Sequence, residues 1–486
     1  MNSAAADAKA APPWCRPEFL LLVLFLVSMP LVNPWIRGDG VGYYAYARAL
    51  LVQHDLDFTA DYQHANPAFR ELRLDRNGQP LPEFRTPTGH LDNHFSVGPA
   101  ILWTPALVAA HAGVALARGF GSTVPADGFS LPYRLAMALT TATLGFAGLL
   151  LSFRIATKFV EQQWSLLATV AVWGGSSLGV YMYFNPSWAH AQSAFAVALF
   201  SWYWLATLQN RSVSQWLLLG ALAGLMIDVY FVNSAILMLL LPEVVSSYLA
   251  VRRHHSFAAR GFWVLLGRHA IFGITVLVCL LPTFASRYTI YGSPFSSGYI
   301  PVHFWFWKSP YFGQVLFSAD HGLFAWTPLL ALSTAGLFLF WRRHPLVGGP
   351  VLLAVLTFYF VIASYPDWDG ISSFGNRFFV SLTVFFVLGL AELLQRVAQG
   401  SRGRSFASAI VVLGCFVAWN LGLMYQWGTH LIPARGAVAW SEVAHNQFHA
   451  VPRQLSSQLT EYLFHRRQVM DRIERRDTIQ RKQASP

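Results

Sequence analysis

The sequence predicts an all-α polytopic membrane protein, and three observations carry that expectation. Of its 486 residues, 55% are hydrophobic and only 12% are charged, with a mean hydropathy of +0.41; soluble domains are about a quarter charged. Apolar runs of about 18 residues or more recur along the chain, the length a helix needs to cross a bilayer. The runs are continuous rather than alternating, which excludes a transmembrane β-barrel. The net charge of +11 does not point to nucleic acid, because the basic residues collect in loops and in the C-terminal stretch, as they do in bilayer proteins. Cys15, Cys279 and Cys415 lie in or beside apolar runs with no CxxC pair, so neither a disulfide framework nor a zinc site is indicated.

Taken in order, the runs give about eleven expected spans: 18–36, 98–117, 131–153, 164–183, 190–208, 215–241, 269–290, 323–341, 348–365, 374–395 and 405–425. The first lacks a small-residue cleavage site and ends in Pro30 and Asn33-Pro34, so it reads as a retained anchor. Residues 1–17 are then an N-terminal cytoplasmic tail, 18–425 a transmembrane domain, and 426–486 a C-terminal tail. The basic stretches Arg252 to Arg268, Arg342-Arg343-His344 and Arg396 to Arg404 mark the cytoplasmic side. Segments 37–97, 291–322 and 366–373 fall opposite, facing the periplasm or exterior of a bacterial inner membrane. Arg154 and Lys158 disagree with simple alternation. Residues 164–208 carry no Asp, Glu, Lys or Arg and are interrupted by Asn185-Pro186, so they form two spans or a broken pair.

The outer loop 37–97 carries apolar residues at helical spacing from Tyr43 to Leu51, which predicts short interfacial helices. Between Arg453 and Lys482 there are eight Arg/Lys against four Asp/Glu. Leucines recur there at helical intervals, which predicts a basic amphipathic helix.

Polar chemistry concentrates on the outer side. Asp39 lies in Gly38-Asp39-Gly40-Val41-Gly42-Tyr43-Tyr44, just past the first span. His94 to Pro99 form the entry to the second span. Tyr291-Gly292-Ser293-Pro294 through Tyr299, then His321-Gly322-Leu323 through Pro328, and finally Trp368-Asp369-Gly370 through Asn376-Arg377-Phe378 lie on the same side. A carboxylate, histidines, an arginine and aromatic rings at one interface suit a phosphate-bearing lipid and a sugar. Arginine grips phosphate through its planar fork, and aromatic faces pack on sugar rings and lipid chains.

On these motifs and their order, residues 18–395 resemble bacterial members of the GT-C glycosyltransferase superfamily, in the protein-O-mannosyltransferase and aminoarabinose-transferase-like branch. The resemblance implies a GT-C-like fold, a polyprenyl-phosphate-linked sugar donor, a site on the non-cytoplasmic face, and a catalytic acid in the first outer loop, the position of Asp39. Many relatives carry two adjacent acids there, whereas this chain has Asp39-Gly40. A cofactor is therefore not assigned: a divalent metal and no metal are both open. The implied acceptor is a glycan, a lipid or a protein, with membrane lipids around the protein.

The residues suit the chemistry on their own terms. An acceptor hydroxyl needs a base, and a partly desolvated carboxylate is a better one. The departing phosphate needs a cation, for which Arg377 is the first choice and Arg85 and Arg287 the next. His94, His321, Asp369, Tyr43 and Tyr44 complete the expected substrate-binding set. Each has a plainer alternative: Asp39 as a helix N-cap, Arg377 as an interface anchor, the histidines as structural side chains. Asp228 falls near the middle of the sixth expected span, where an ionisable group is costly. It is the feature that favours the alternative function, a transporter or flippase of a lipid-linked glycan. An inactive scaffold of the same fold is the third reading.

Overall fold

The computed structural model describes residues 16–209, 211–253, 258–400 and 405–484. Most of the expected N-terminal tail, with Cys15, and also His254, His255, Arg402 and Arg404 of the basic stretches, lie outside the described residues. Among those described there is no β-strand; two isolated bridges, Leu74 to Pro80 and Arg85 to Leu91, pin the first outer loop.

Each apolar run is helical. The chain begins with α1 (Pro17–Ser28). The first loop holds α2 (Asp39–Arg48), α3 (Thr59–Gln63) and α4 (Pro67–Arg70). Then follow α5 (Gly98–Gly119), α6 (Leu131–Ala156), α7 (Gln162–Gly174), α8 (His190–Ala206) and α9 (Val213–Val229). The next group is α10 (Leu241–Arg253), α11 (Ala258–Cys279), α12 (Leu281–Tyr291), α13 (Phe312–Phe317) and α14 (Leu323–Trp326). The last long helices are α15 (Leu329–Arg343), α16 (Pro345–Ser364), α17 (Thr383–Gly400) and α18 (Ser405–Gly428). The tail forms α19 (Trp440–Phe448), α20 (Ala450–Phe464) and α21 (Arg466–Ala484).

Six helices among the described residues are long and apolar enough to cross a membrane, or seven when the bent pair Phe231–Leu239 and Leu241–Arg253 counts as one span. The chain is a multi-pass membrane protein. The expected count of about eleven is not reached by this measure. Two runs give helices of only 17 residues, α8 and α9, about 26 Å at 1.5 Å per residue, short of the roughly 30 Å hydrocarbon core.

Two departures from simple alternation change the topology. First, the connection after α5 returns to the first loop. The Tyr44 hydroxyl donates to the Gly128 carbonyl at 2.6 Å, Phe129 stacks on His64 at 3.9 Å, and Arg48 lies over Phe129. From there α6 runs to the opposite end of the bundle. Beyond its end, Phe159 packs on Phe340 and His344, and the Glu161 N–H donates to Gln395. Arg154 and Lys158 therefore sit with Arg343 and Arg396, which both pair with buried Glu392. The charges that conflicted with alternation thus lie at the same end of the bundle as the basic stretches expected to be cytoplasmic.

Second, the run 215–241 is not one span. A Ser212/Gln215 capping box starts α9, Tyr230 is extended (φ −157°), and the 3-10 stretch Phe231–Leu239 turns back. Glu243 then pairs with Arg211 at the start of α9. Asp228 consequently lies in the last turn of α9, against the backbone of Gly98, and not at mid-span. Its carboxylate accepts from Thr283 Oγ1 at 2.6 Å. A helix that ends early removes the mid-membrane charge that favoured a transporter. Parallel to α9, α11 packs closely through Gly220 and Gly224, as small residues allow between membrane helices.

Helix α2 does not lie on a surface. Every residue of α2 from Gly40 to Arg48 is buried. Arg48 grips Asp61 through two bonds of 2.7 and 2.8 Å, fastening α2 to α3. The tail is docked rather than free: α21 brings Glu474 and Asp477 to Arg37, His430 meets Asp477 at 2.7 Å, and the Tyr462 hydroxyl donates to the Leu31 carbonyl.

Candidate active site

Asp39 is held at a close approach of three segments. Gly38 adopts φ +54°, a conformation glycine takes without strain, and a side chain there would press on the Trp188 indole. The Trp188 Nε1–H donates to the Arg37 carbonyl at 3.0 Å, and the Gly38 N–H donates to Asn66 Oδ1 at 3.0 Å. Asp39 opens α2 in the first turn, where the helix dipole favours an acid. The N-cap is Gly38, and the Asp39 side chain makes no capping bond. Its Oδ2 instead forms an ion pair with Arg377 Nη1 at 2.8 Å, with the Asp39 side chain 25% and the Arg377 side chain 12% exposed.

Arg377 opens the 3-10 stretch Arg377–Leu382. Its guanidinium lies 4.5 Å over the Trp188 ring, a contact that suits arginine. The preceding loop is stapled by Asn376 Nδ2 to the Trp368 carbonyl at 3.0 Å and by Ser373 Oγ to the Gly375 carbonyl at 2.8 Å. Gly370 has φ +74°, and a side chain there would collide with Ser373 and crowd Arg377.

Two cavities meet at this pair. One of 300 Å³ is rich in arginine, with Arg37, Arg73 and Arg435 on its walls beside His430 and Asp477. The other, of 270 Å³, is aromatic, with Tyr43, Tyr230, Tyr299, Trp305 and Tyr365, together with His190 and Asp367. Asp39, His94, Phe95, Gly370, Ile371 and Arg377 line both. Burial pushes the Tyr43 and Tyr299 hydroxyls up, so they stay neutral donors. Burial, reinforced by the charge of Asp369, also pushes the Asp367 carboxyl up. His94 stands 3.4 Å from Asp92 and edge-on to Tyr299. Burial raises the Asp92 carboxyl, but bonds from His94 and Tyr291 (2.6 Å) and the charge of Arg73 outweigh it and leave it below the ordinary range.

Of the expected set, Asp39, Arg377, His94 and Tyr43 come together here. Three do not line either cavity. Tyr44 faces the other side of α2, toward Gly128 and Trp103, because consecutive residues on a helix point about 100° apart. His321 is fully buried behind the loop, stacked on Trp326 at 4.7 Å, with both ring nitrogens lacking a hydrogen-bond partner. Burial, then the charge of Arg377, push it down to about 4. Asp369 is displaced from the cavity wall by Asp367, two residues earlier. The candidates behind Arg377 are otherwise engaged: Arg287 donates to the carbonyls of Ser296 and His94, and Arg85 to that of Gly89. Trp188, His190, Tyr230, Tyr365 and Asp367 escaped the sequence reading. The Asn185-Pro186 break in an uncharged run was the available signal for the first two.

The donor set does not suit a metal. Asp39 is followed by Gly40 and already paired with Arg377, and among the described residues no three His, Cys, Asp or Glu side chains gather to hold an ion.

The fold and site define a multi-pass, all-helical membrane protein with a carboxylate–guanidinium pair between an arginine-rich and an aromatic cavity. No family model matches the chain, and no curated protein matches it. Among solved structures it is similar to ArnT from Cupriavidus metallidurans in the apo state, at 14% identity over 85% of this chain and 70% of that one, with a TM-score of 0.45.

Proposed function

We propose that the protein is a glycosyltransferase that moves a sugar from a polyprenyl-phosphate-linked donor to an acceptor on the non-cytoplasmic membrane face. One observation carries the reading: the Asp39–Arg377 pair stands where the two cavities meet. The aromatic cavity offers ring faces and neutral hydroxyls to a sugar. An apolar groove of 200 Å³, walled by Met424, Leu459 and Val469, adjoins the arginine-rich cavity and shares Arg37, Trp427 and Ile473 with it. It fits the hydrocarbon end of a lipid-linked donor.

In the reaction, the acceptor hydroxyl donates to Asp39 and attacks the anomeric carbon. The carbon–oxygen bond to the lipid phosphate breaks as the new glycosidic bond forms, and the proton passes to Asp39. The leaving phosphate takes up the bonding pair, and Arg377 stabilises its charge. One displacement on one base inverts the anomeric centre, unlike the two-carboxylate hydrolases.

The test is Asp39→Asn. The amide keeps the size and shape of the carboxylate but cannot take a proton, so turnover should fall by about 10²–10⁴ with the protein folded. The readout is consumption of a polyprenyl-phosphate-linked hexose in detergent, with cell-envelope extract as acceptor. Near wild-type turnover in the purified variant would remove Asp39 as the base.

A further inference from the structure

A larger cavity, of 840 Å³, lies on the other side of Asn66 from Asp39. Asn66 lines both spaces, and its Oδ1 accepts from the N–H of Gly38, next to Asp39. The walls come from four places: Trp35 and Ile36 ahead of α2, Asp61 and His64 of the first loop, Phe129 and Arg134 after α5, and Asp471, Glu474 and Arg475 of α21. The volume is near the upper end of ligand sites, about 300–1,000 Å³.

The chemistry of the walls narrows the ligand. Side chains of both signs face this space, which disfavours a hydrocarbon chain, since apolar contact would leave them unsolvated. Asp471 and Glu474 disfavour a simple anion, and Arg134 and Arg475 disfavour a simple cation. Arg134 is the informative member. Its guanidinium lies 5.6 Å over the Trp35 ring, its Nε is buried without a hydrogen-bond partner, and no carboxylate of the described residues pairs with it. Trp35 and the stacked His64–Phe129 pair add flat apolar faces. A guanidinium with free N–H groups, carboxylates that accept, and aromatic faces suit a neutral ligand that has hydroxyls on its edges and C–H groups on its faces.

We propose that this chamber binds the glycan part of the acceptor, a neutral oligosaccharide of more than one residue, whose end passes Asn66 to reach Asp39. The proposal rests on the transferase reading for the role of the bound glycan, but the binding itself can be measured without turnover.

The experiment is saturation-transfer NMR on the full-length protein in detergent. The probes are maltotetraose, cellotetraose, chitotetraose and mannotetraose, each against its monosaccharide. At least one tetraose should bind at least tenfold more tightly than its monosaccharide. Trp35→Ala and Arg134→Gln should each weaken it about tenfold, with Trp35→Phe recovering most of the loss if Trp35→Ala folds poorly. Four tetraoses that bind no better than monosaccharides would overturn the proposal, as would unchanged binding in both Arg134→Gln and Trp35→Ala. Displacement by inorganic phosphate would assign the chamber to an anion and overturn it too. An active Asp39→Asn enzyme would defeat the proposed chemistry while leaving the glycan site intact.

Discussion

Removing the Arg377 guanidinium probes both the architecture and the chemistry of the site. At 2.8 Å from Asp39, two unit charges attract by about 6 kcal/mol at an effective dielectric near 20. Desolvation cancels much of this, and double-mutant cycles on close charge pairs give couplings from about 1.5 kcal/mol upward. With the Asp39 side chain 25% exposed, about 2 kcal/mol is the reasonable share. The Trp188 face adds about 1 kcal/mol, so Arg377→Ala should destabilise by about 3 kcal/mol. Arg377→Lys should lose less, because it keeps the charge but not the planar fork. The assay is a guanidinium titration of the detergent-solubilised protein followed by tryptophan fluorescence. A double-mutant cycle of Arg377→Gln with Asp39→Asn should give a coupling of about 2 kcal/mol, whereas additive effects within about 0.5 kcal/mol would mean that the pair does not exist in the working protein. In turnover, Arg377→Ala should cost about 10²–10³, the scale of losing one donor to a developing oxyanion, with partial rescue by Lys.

Three further outcomes are expected. Burial holds His321 at about 4, below its ordinary 6.5, so the folded state binds fewer protons than the unfolded one between these values. The stability His321 contributes is therefore complete above about pH 6.5 and is lost as the pH falls toward 4; thermal melts should show a smaller acid loss for His321→Asn, and an identical pH profile would refute the burial argument. Arg48→Met should destabilise by about 3–5 kcal/mol by stranding Asp61, and adding Asp61→Leu should restore most of it; a thermal-shift comparison in which the double variant is the worse of the two would count against the buried pair. In a Cys-free background, Ser297→Cys should react with an impermeant maleimide in intact cells and Lys158→Cys should not; labelling of both would undo the assignment of Lys158 to the cytoplasmic set.

Composition and run length alone settle the class. Charge-poor runs of membrane-spanning length leave no alternative to helices in a bilayer, because every backbone polar group must be paired within its own segment, and each run is helical in the structure. The sequence also singled out Asp39 and Arg377, since short charged motifs at span ends stand out against so apolar a chain. What it could not encode locally was direction and partnership. Tyr43 and Tyr44 are adjacent, and only the packing of α2 against α5 puts one in the aromatic cavity and the other against Gly128. Asp367 and Asp369 differ by two loop positions, and the stapling of that loop selects which faces the cavity. The reversal at Tyr230, the return of residues 120–130 to the first loop and the docking of α21 on Arg37 all depend on contacts between segments far apart in the chain. Hydropathy measures how apolar a segment is; which way it runs, and against what it packs, is decided by its partners.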